Sequence, residues 1–103
     1  MKKMYRQGDV LLEEELLLPD RVRLLPHKIV ARGELTGHAH RFEVKLDKDV
    51  ELYQDSTGNL WIRVNRPSPL VHEEHSTLWI EPGTYRYLPQ REYWPMDNIQ
   101  VAD

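Results

Sequence analysis

Apolar and polar residues alternate along most of the chain in short segments. The clearest case runs from position 38 to 47, where the even positions are His38, His40, Phe42, Val44 and Leu46 and most odd positions are charged. Successive side chains of a β-strand point to opposite faces, so this pattern predicts a strand over 38–47 with a buried even face. Similar but shorter patterns predict strands over 8–14, 28–33, 50–54, 60–64, 70–72, 76–81 and 84–88.

Turn-forming residues separate these segments. Asp55 to Asn59 has the composition of a hairpin turn, and Pro82-Gly83 predicts another turn. The 7 prolines leave little room for helix, and we expect any helix to be no more than a single turn near Pro19–Leu25. The pattern as a whole predicts an all-β fold, a small antiparallel barrel or sandwich of about seven or eight short strands.

Composition narrows the functional classes. With 103 residues, we expect a single domain over 1–103, whose small core makes a homodimer a favourable way to bury more surface. The absence of cysteine excludes disulfides, thiolate catalysis and cysteine-held metals. A net charge of -3 argues against a nucleic-acid partner. Neither a membrane-spanning apolar run nor a signal peptide is visible, so we expect a cytoplasmic protein with no membrane partner.

Two of the five histidines, His38 and His40, lie on the predicted inward face of the strand over 38–47. An imidazole facing a core needs a partner, because an unpaired buried polar group costs about 1–3 kcal/mol. A single metal ion would satisfy both rings, and this is the interpretation we favour. The alternative is that each ring is hydrogen-bonded to a carboxylate or to the backbone.

A second pair, His72 and His75, flanks Glu73 and Glu74. A spacing of three suits a tight bend, so one or both rings could complete a site begun by the first pair. Imidazole ligands suit zinc, iron, nickel, manganese or copper. Either glutamate could be a ligand or could orient a ligating histidine. The alternative is a solvated acidic turn.

Three residues are candidates for catalysis. Glu74 and Glu92 could transfer protons, and Tyr93 could donate one. Glu92 could instead be a metal ligand. For Glu92 and Tyr93 the alternative is an edge strand that exposes its polar side chains to solvent.

The pattern Gly33-x-x-x-Gly37-His38-x-His40 in an all-β chain resembles the first half of the metal motif of the cupin superfamily. The segment from His75 through Pro82-Gly83 to Tyr85 is similar to the strand, Pro-Gly turn and strand found in cupins. This resemblance implies a barrel or jelly roll in which His38 and His40 bind a metal together with His72 or His75. The glutamate that cupins place four or five positions after the histidine pair is absent here, since those positions hold Val44 and Lys45.

Most of residues 5–95 also resemble a group of small bacterial and phage proteins. They share an early Gly-Asp, a Gly-His-x-His segment, a His-Glu-Glu-His segment and a C-terminal Gln-Arg-Glu-Tyr. This resemblance implies no particular activity. It does imply that Gly8-Asp9, the four clustered histidines and Glu92 belong to one unit.

The sequence therefore favours a small cupin-like protein that holds a divalent transition metal on His38, His40, His72 and His75. Such a site would perform small-molecule chemistry, with oxygenation, isomerisation and hydrolysis all open, and whether the protein is an enzyme is not decided by the sequence. The alternative is a non-enzymatic structural or accessory module of bacterial or phage origin. Its histidines would then hold a structural metal or form a hydrogen-bond network.

Overall fold

Two β-sheets face each other in the computed structural model, which describes residues 2–33, 35–89 and 99–102. Within these residues the chain forms eleven strands and a 3₁₀ turn at Asp47–Asp49. The all-β prediction is confirmed, and the arrangement is an open sandwich with more strands than the seven or eight expected. The strands are β1 (Met4–Gln7), β2 (Val10–Glu15), β3 (Val22–Leu24), β4 (Ile29–Arg32), β5 (Ala39–Phe42), β6 (Val50–Asp55), β7 (Leu60–Val64), β8 (Ser68–Val71), β9 (Leu78–Ile80), β10 (Gly83–Pro89) and β11 (Ile99–Ala102).

The larger sheet has the strand order β11-β1-β2-β10-β7-β6-β3, and the smaller has the order β4-β5-β8-β9. Strand pairs in the described residues are antiparallel, apart from the parallel pair β1 and β11. Strands β1 and β2 are joined by the two-residue turn Gly8-Asp9, since Gln7 pairs with Val10. This turn and the start of β5 lie at the same end of the sandwich as the β8–β9 connection, as their shared pocket shows.

The alternating segments build the core between the sheets. In β7, Ile62 and Val64 are buried, whereas Trp61 and Arg63 occupy the opposite face. Both sheets contribute to the continuous apolar cluster, and burial of this surface is the main stabilising term. Its fully buried members include Leu12, Val50, Leu52, Ile62, Leu70, Ile80 and Tyr85.

The predicted hairpin at Asp55 to Asn59 is confirmed, because β6 and β7 pair from Val50↔Val64 to Gln54↔Leu60. The Asp55 carboxylate accepts the backbone N–H groups of Thr57 and Asn59, each at 2.9 Å. Gly58 has a φ of 89°, a region that residues with a Cβ seldom adopt. Local side-chain bonds and glycine together close this turn.

The placing of any helix near Pro19–Leu25 is wrong, because this segment contains a strand. Residues Val22–Leu24 form the edge strand β3, which pairs with β6 in the register Val22↔Asp55 to Leu24↔Tyr53. Three residues are too few for an alternation to be recognised, so pairing with a distant strand decides their conformation.

The strand predicted over 38–47 is also wrong in its extent, because β5 covers only Ala39–Phe42. Beyond the strand, Glu43 N–H donates to Pro69 O at 3.2 Å. The chain then crosses to the larger sheet through the 3₁₀ turn at Asp47–Asp49. Leu46, predicted to face the core, consequently lies in this crossing and is 49% exposed.

Among the described residues, no helix has the length and apolar character needed to cross a membrane.

Candidate functional site

Four histidines meet in one pocket at an end of the sandwich. The pocket has a volume of about 400 Å³ and opens to solvent beside the β1–β2 turn. His38 and His40 reach it from the start of β5, and His72 and His75 reach it from the connection between β8 and β9. Asp9 and Glu74 add carboxylates to its wall, and Arg32 and Thr36 also line it. Residues far apart in sequence are thus brought together by the pairing of β5 with β8.

His40 is the buried member of the group, at 5% exposure. Its Nδ1 lies 2.8 Å from Oε1 of Gln7 in β1, and its Nε2 lies 3.3 Å from Oδ1 of Asp9. Gln7 is itself fully buried, and its Nε2 donates to the carbonyl oxygens of Leu70 and Ser76 at 2.8 and 2.9 Å. The ring is therefore held on both sides by side chains of the β1–β2 hairpin.

His38 precedes β5 and is partly exposed, and its Nδ1 lies 2.7 Å from Oε1 of Glu74. A carboxylate can only accept, so Nδ1 donates the hydrogen and Nε2 of a neutral His38 keeps its lone pair. The prediction that both members of the first pair face the core is therefore wrong for His38. The reason is that the strand begins one residue later, at Ala39.

Glu73 connects the histidine loop to β5. Its Oε1 accepts the backbone N–H of Ala39 at 2.9 Å, and its Oε2 accepts from Arg41 Nη1 at 2.8 Å. The Ala39 hydrogen bond leads the interactions that lower the pKa of Glu73 to about 2, and the charge on Arg41 adds to the effect. Glu73 is thus ionised at neutral pH and ties the loop to the strand beside the pocket.

His72 lies among the other three rings. Its centroid is 4.3 Å from that of His40, 4.7 Å from that of His75 and 5.6 Å from that of His38. Its Nδ1 accepts the backbone N–H of Glu74 at 3.0 Å, so a neutral His72 carries its hydrogen on Nε2. To coordinate a metal through Nε2, a neutral His72 would have to carry its hydrogen on Nδ1 and would lose the hydrogen bond from Glu74 N–H.

His75 lies against the glycine of the β1–β2 turn. A Cβ built on Gly8 would overlap Nε2 of His75, and Gly8 also has a φ of 59°. Close approach and left-handed backbone both demand glycine at this position. The absence of a side chain there lets the imidazole of His75 come up to the turn that carries Asp9.

The electrostatics favour neutral imidazoles in the middle of the cluster. Burial lowers the pKa of His40, and the neighbouring His72 and His75 add to this, whereas Asp9 opposes it. Burial also lowers the pKa of His72, with a further contribution from His75. Neutral imidazole is the form that binds transition metals, since the ligand nitrogen must be unprotonated.

Three of the donor atoms are close enough to share an ion. One atom each from His38, His72 and Glu73 lie within 4.8 Å of one another. Both oxygens of Glu73 already accept hydrogen bonds, whereas Asp9 and Glu74 have side chains that are 72% and 67% exposed at the pocket. Imidazoles on the inner side and carboxylates at the open side are a donor set typical of catalytic transition-metal sites.

The structure thus brings together all four predicted metal ligands and places Glu74, a predicted catalytic residue, beside His38. The other two catalytic candidates, Glu92 and Tyr93, lie outside the described residues. Reasoning from residue types missed the contacts that Gln7 and Asp9 make with His40, although the resemblance to bacterial and phage proteins includes Gly8-Asp9. Gly-Asp between two strand-like segments is itself a signal for a two-residue hairpin turn.

Residues 6–90 match the model of a family described as Domain of unknown function (DUF8820), and the chain belongs to this family. Neither the curated proteins nor the solved structures contain a significant match to the chain.

Proposed function

We propose that this member of the family binds one divalent transition metal ion in the histidine pocket and uses it as a Lewis acid in small-molecule chemistry. The observation that carries this proposal is the convergence of four imidazoles, with successive ring centroids 4.3 to 5.8 Å apart, on one open pocket. Four histidines that served only as surface residues would repel one another when protonated and would gain nothing from this proximity.

The orientation of His38 supports metal binding. Glu74 accepts a hydrogen bond from its Nδ1 and leaves Nε2 free to coordinate, which is the usual role of a carboxylate behind a ligating histidine. The cupin resemblance remains part of the proposal. It is supported by the two antiparallel sheets and by the His-x-His segment at the start of an inner strand.

The exposure of Glu74 at the open side supports chemistry over a purely structural ion. A carboxylate within reach of both solvent and the pocket can take a proton from a metal-bound water or from a ligand. Zinc, iron, nickel, manganese and copper all suit a site of imidazole and carboxylate donors.

Metal analysis and thermal unfolding of the full chain test this proposal. The protein is stripped with EDTA, incubated with each of the five metals in turn, desalted and assayed for bound metal. We expect close to one equivalent, and a rise in Tm of about 10 °C or more when free metal exceeds Kd about 100-fold, which corresponds to about 2.7 kcal/mol.

Matched histidine variants locate the ion. His38→Gln and His75→Gln are expected to lose most of the bound metal, whereas His27→Gln should keep it, because His27 lies outside the pocket. The proposal would be overturned if the protein bound no metal and its Tm did not change with any of the five metals or with EDTA. It would also be overturned if the three variants bound equal amounts of metal.

A second candidate function, a non-enzymatic module, is favoured by one observation. His72 accepts a backbone hydrogen bond through Nδ1, as expected of a histidine in a structural network. X-ray absorption of the loaded protein separates the two. An ion coordinated by four protein donors indicates a structural role, whereas an ion with one coordination position occupied by water indicates catalysis.

A further inference from the structure

The buried amide of Gln7 determines which nitrogen of His40 carries hydrogen. Its Nε2 has two hydrogens, and both are donated to backbone carbonyls, to Leu70 at 2.8 Å and to Ser76 at 2.9 Å. A rotated amide would bring its oxygen against two carbonyl oxygens, so the orientation is unique. The atom that faces His40 at 2.8 Å is therefore Oε1, which only accepts, and the Nδ1 of His40 must donate.

The opposite nitrogen of His40 then has a lone pair. In a neutral ring with hydrogen on Nδ1, Nε2 is an acceptor, and it faces Oδ1 of Asp9 at 3.3 Å. Two acceptors at this distance repel each other unless a cation lies between them.

The separation of these two atoms suits a metal ion. Zinc binds imidazole nitrogen and carboxylate oxygen at about 2.0–2.2 Å, and a tetrahedral angle then places the two donors about 3.4 Å apart. The separation of 3.3 Å between His40 Nε2 and Asp9 Oδ1 agrees with this value. Asp9 also has its backbone held by the two-residue turn between β1 and β2, so its carboxylate is carried by a well-defined element.

We propose that Asp9 is a carboxylate ligand of the metal, that it binds the ion jointly with Nε2 of His40, and that Gln7 is the positioning residue that sets the required tautomer. This inference rests on the proposed function and adds a ligand that comes from the β1–β2 turn rather than from either histidine segment. It also makes the ligand set mixed, with nitrogen on the buried side and oxygen at the opening.

Cobalt titration tests the ligand. Co²⁺ is added to stripped protein and followed by visible absorption, and Zn²⁺ competition then gives the zinc affinity. Asp9→Asn keeps the size of the side chain and removes its charge. Loss of a residue that only hydrogen-bonds to a metal ligand weakens metal binding by about 10–100-fold. We expect Asp9→Asn to weaken the binding of Co²⁺ and Zn²⁺ by more than this and to change the cobalt spectrum.

Asp20→Asn is the matched control, since Asp20 is an exposed aspartate that does not line the histidine pocket. It should bind cobalt as the wild type does. Wild-type affinity and spectrum in Asp9→Asn would overturn the assignment of Asp9 and leave the proposed metal site standing. A wild-type protein that binds neither ion would overturn both.

A second measurement needs no variant and so does not depend on the folding of Asp9→Asn. Long-range ¹H–¹⁵N NMR of the imidazoles at neutral pH reports the tautomer directly. We expect His40 to show a protonated Nδ1 and an unprotonated Nε2 in the stripped protein, with the Nε2 resonance shifting on addition of Zn²⁺. An Nε2 that is protonated and stays so in excess Zn²⁺ would overturn the proposal, because the cation facing Asp9 would then be a proton.

Discussion

Replacing Gln7 with leucine should destabilise the protein far more than a loss of side-chain polarity at the surface would. Gln7 is fully buried and makes three hydrogen bonds, two as donor to the backbone and one as acceptor from His40. Leucine has nearly the same volume and no polar atom. The change therefore leaves the partners of the amide without their bonds while filling the same space.

The size of the effect follows from the burial of those partners. Leu70 and His40 are buried, and each polar group left unpaired there costs about 1–3 kcal/mol. The carbonyl of Ser76 belongs to an exposed residue and can turn to water. We therefore expect Gln7→Leu to lower the free energy of unfolding by about 2–6 kcal/mol, a large part of the about 5–15 kcal/mol typical of a domain.

Urea unfolding followed by tryptophan fluorescence measures this change, with stability taken from the midpoint and slope. Gln54→Leu is the matched control, because the bonds of Gln54 to Arg23 and Gly58 are exposed. It should change stability by less than about 0.5 kcal/mol. If Gln7→Leu were as mild as Gln54→Leu, the hydrogen bonds of the buried amide would not stabilise the fold and our account of His40 would lose its basis.

Two further predictions concern the turns. Gly8→Ala and Gly58→Ala should each cost about 1–2 kcal/mol in urea unfolding because both positions have positive φ, but only Gly8→Ala should weaken Co²⁺ binding, since a Cβ at Gly58 meets nothing within 4 Å. Equal cobalt affinities for the two variants would contradict the close packing of His75 on the turn. The indole N–H of Trp61, followed by the other bonds within the turn, lowers the pKa of Asp55 below its usual 3.8. The resulting stabilisation is present above about pH 4 and is lost as the pH falls toward the lowered folded value, so the urea midpoint of Asp55→Asn should decline less between about pH 5 and about pH 2 than that of the wild type. Equal declines of the urea midpoint in Asp55→Asn and in the wild type would show that ionisation of Asp55 does not contribute to stability.

The strands that the sequence predicted well are those whose alternation is complete within the segment. Strand β7 was predicted at its observed bounds, and β6 to within a residue, because each has one buried face and a polar turn between them. The pattern does not indicate strand β1, and it predicts the start of a strand at Gly8, which lies in the turn between β1 and β2. The buried positions of β1 are Tyr5 and Gln7, and a hydrophobic pattern does not mark a glutamine as inward-facing.

The candidate site divides in the same way. The spacing of His38 and His40 and that of His72 and His75 are properties of the sequence, and so is the choice of nitrogen and oxygen donors in a chain without cysteine. The two histidine pairs are more than thirty residues apart in the sequence. Their spacings are local features, so the sequence alone does not show that the two pairs meet in one pocket.

By itself, then, the sequence determined the all-β class, the hairpin at Asp55 to Asn59 and the types of donor atom, because periodicity and turn chemistry act between neighbouring residues. Only the tertiary structure decided which groups meet. Pairing of β5 with β8 brings the two histidine segments together, and pairing of β1 with β2 carries Gln7 and Asp9 to His40. The physical reason is that a buried imidazole takes its tautomer from whatever partner packs beside it, and that partner is set by sheet pairing between segments that are remote in the chain.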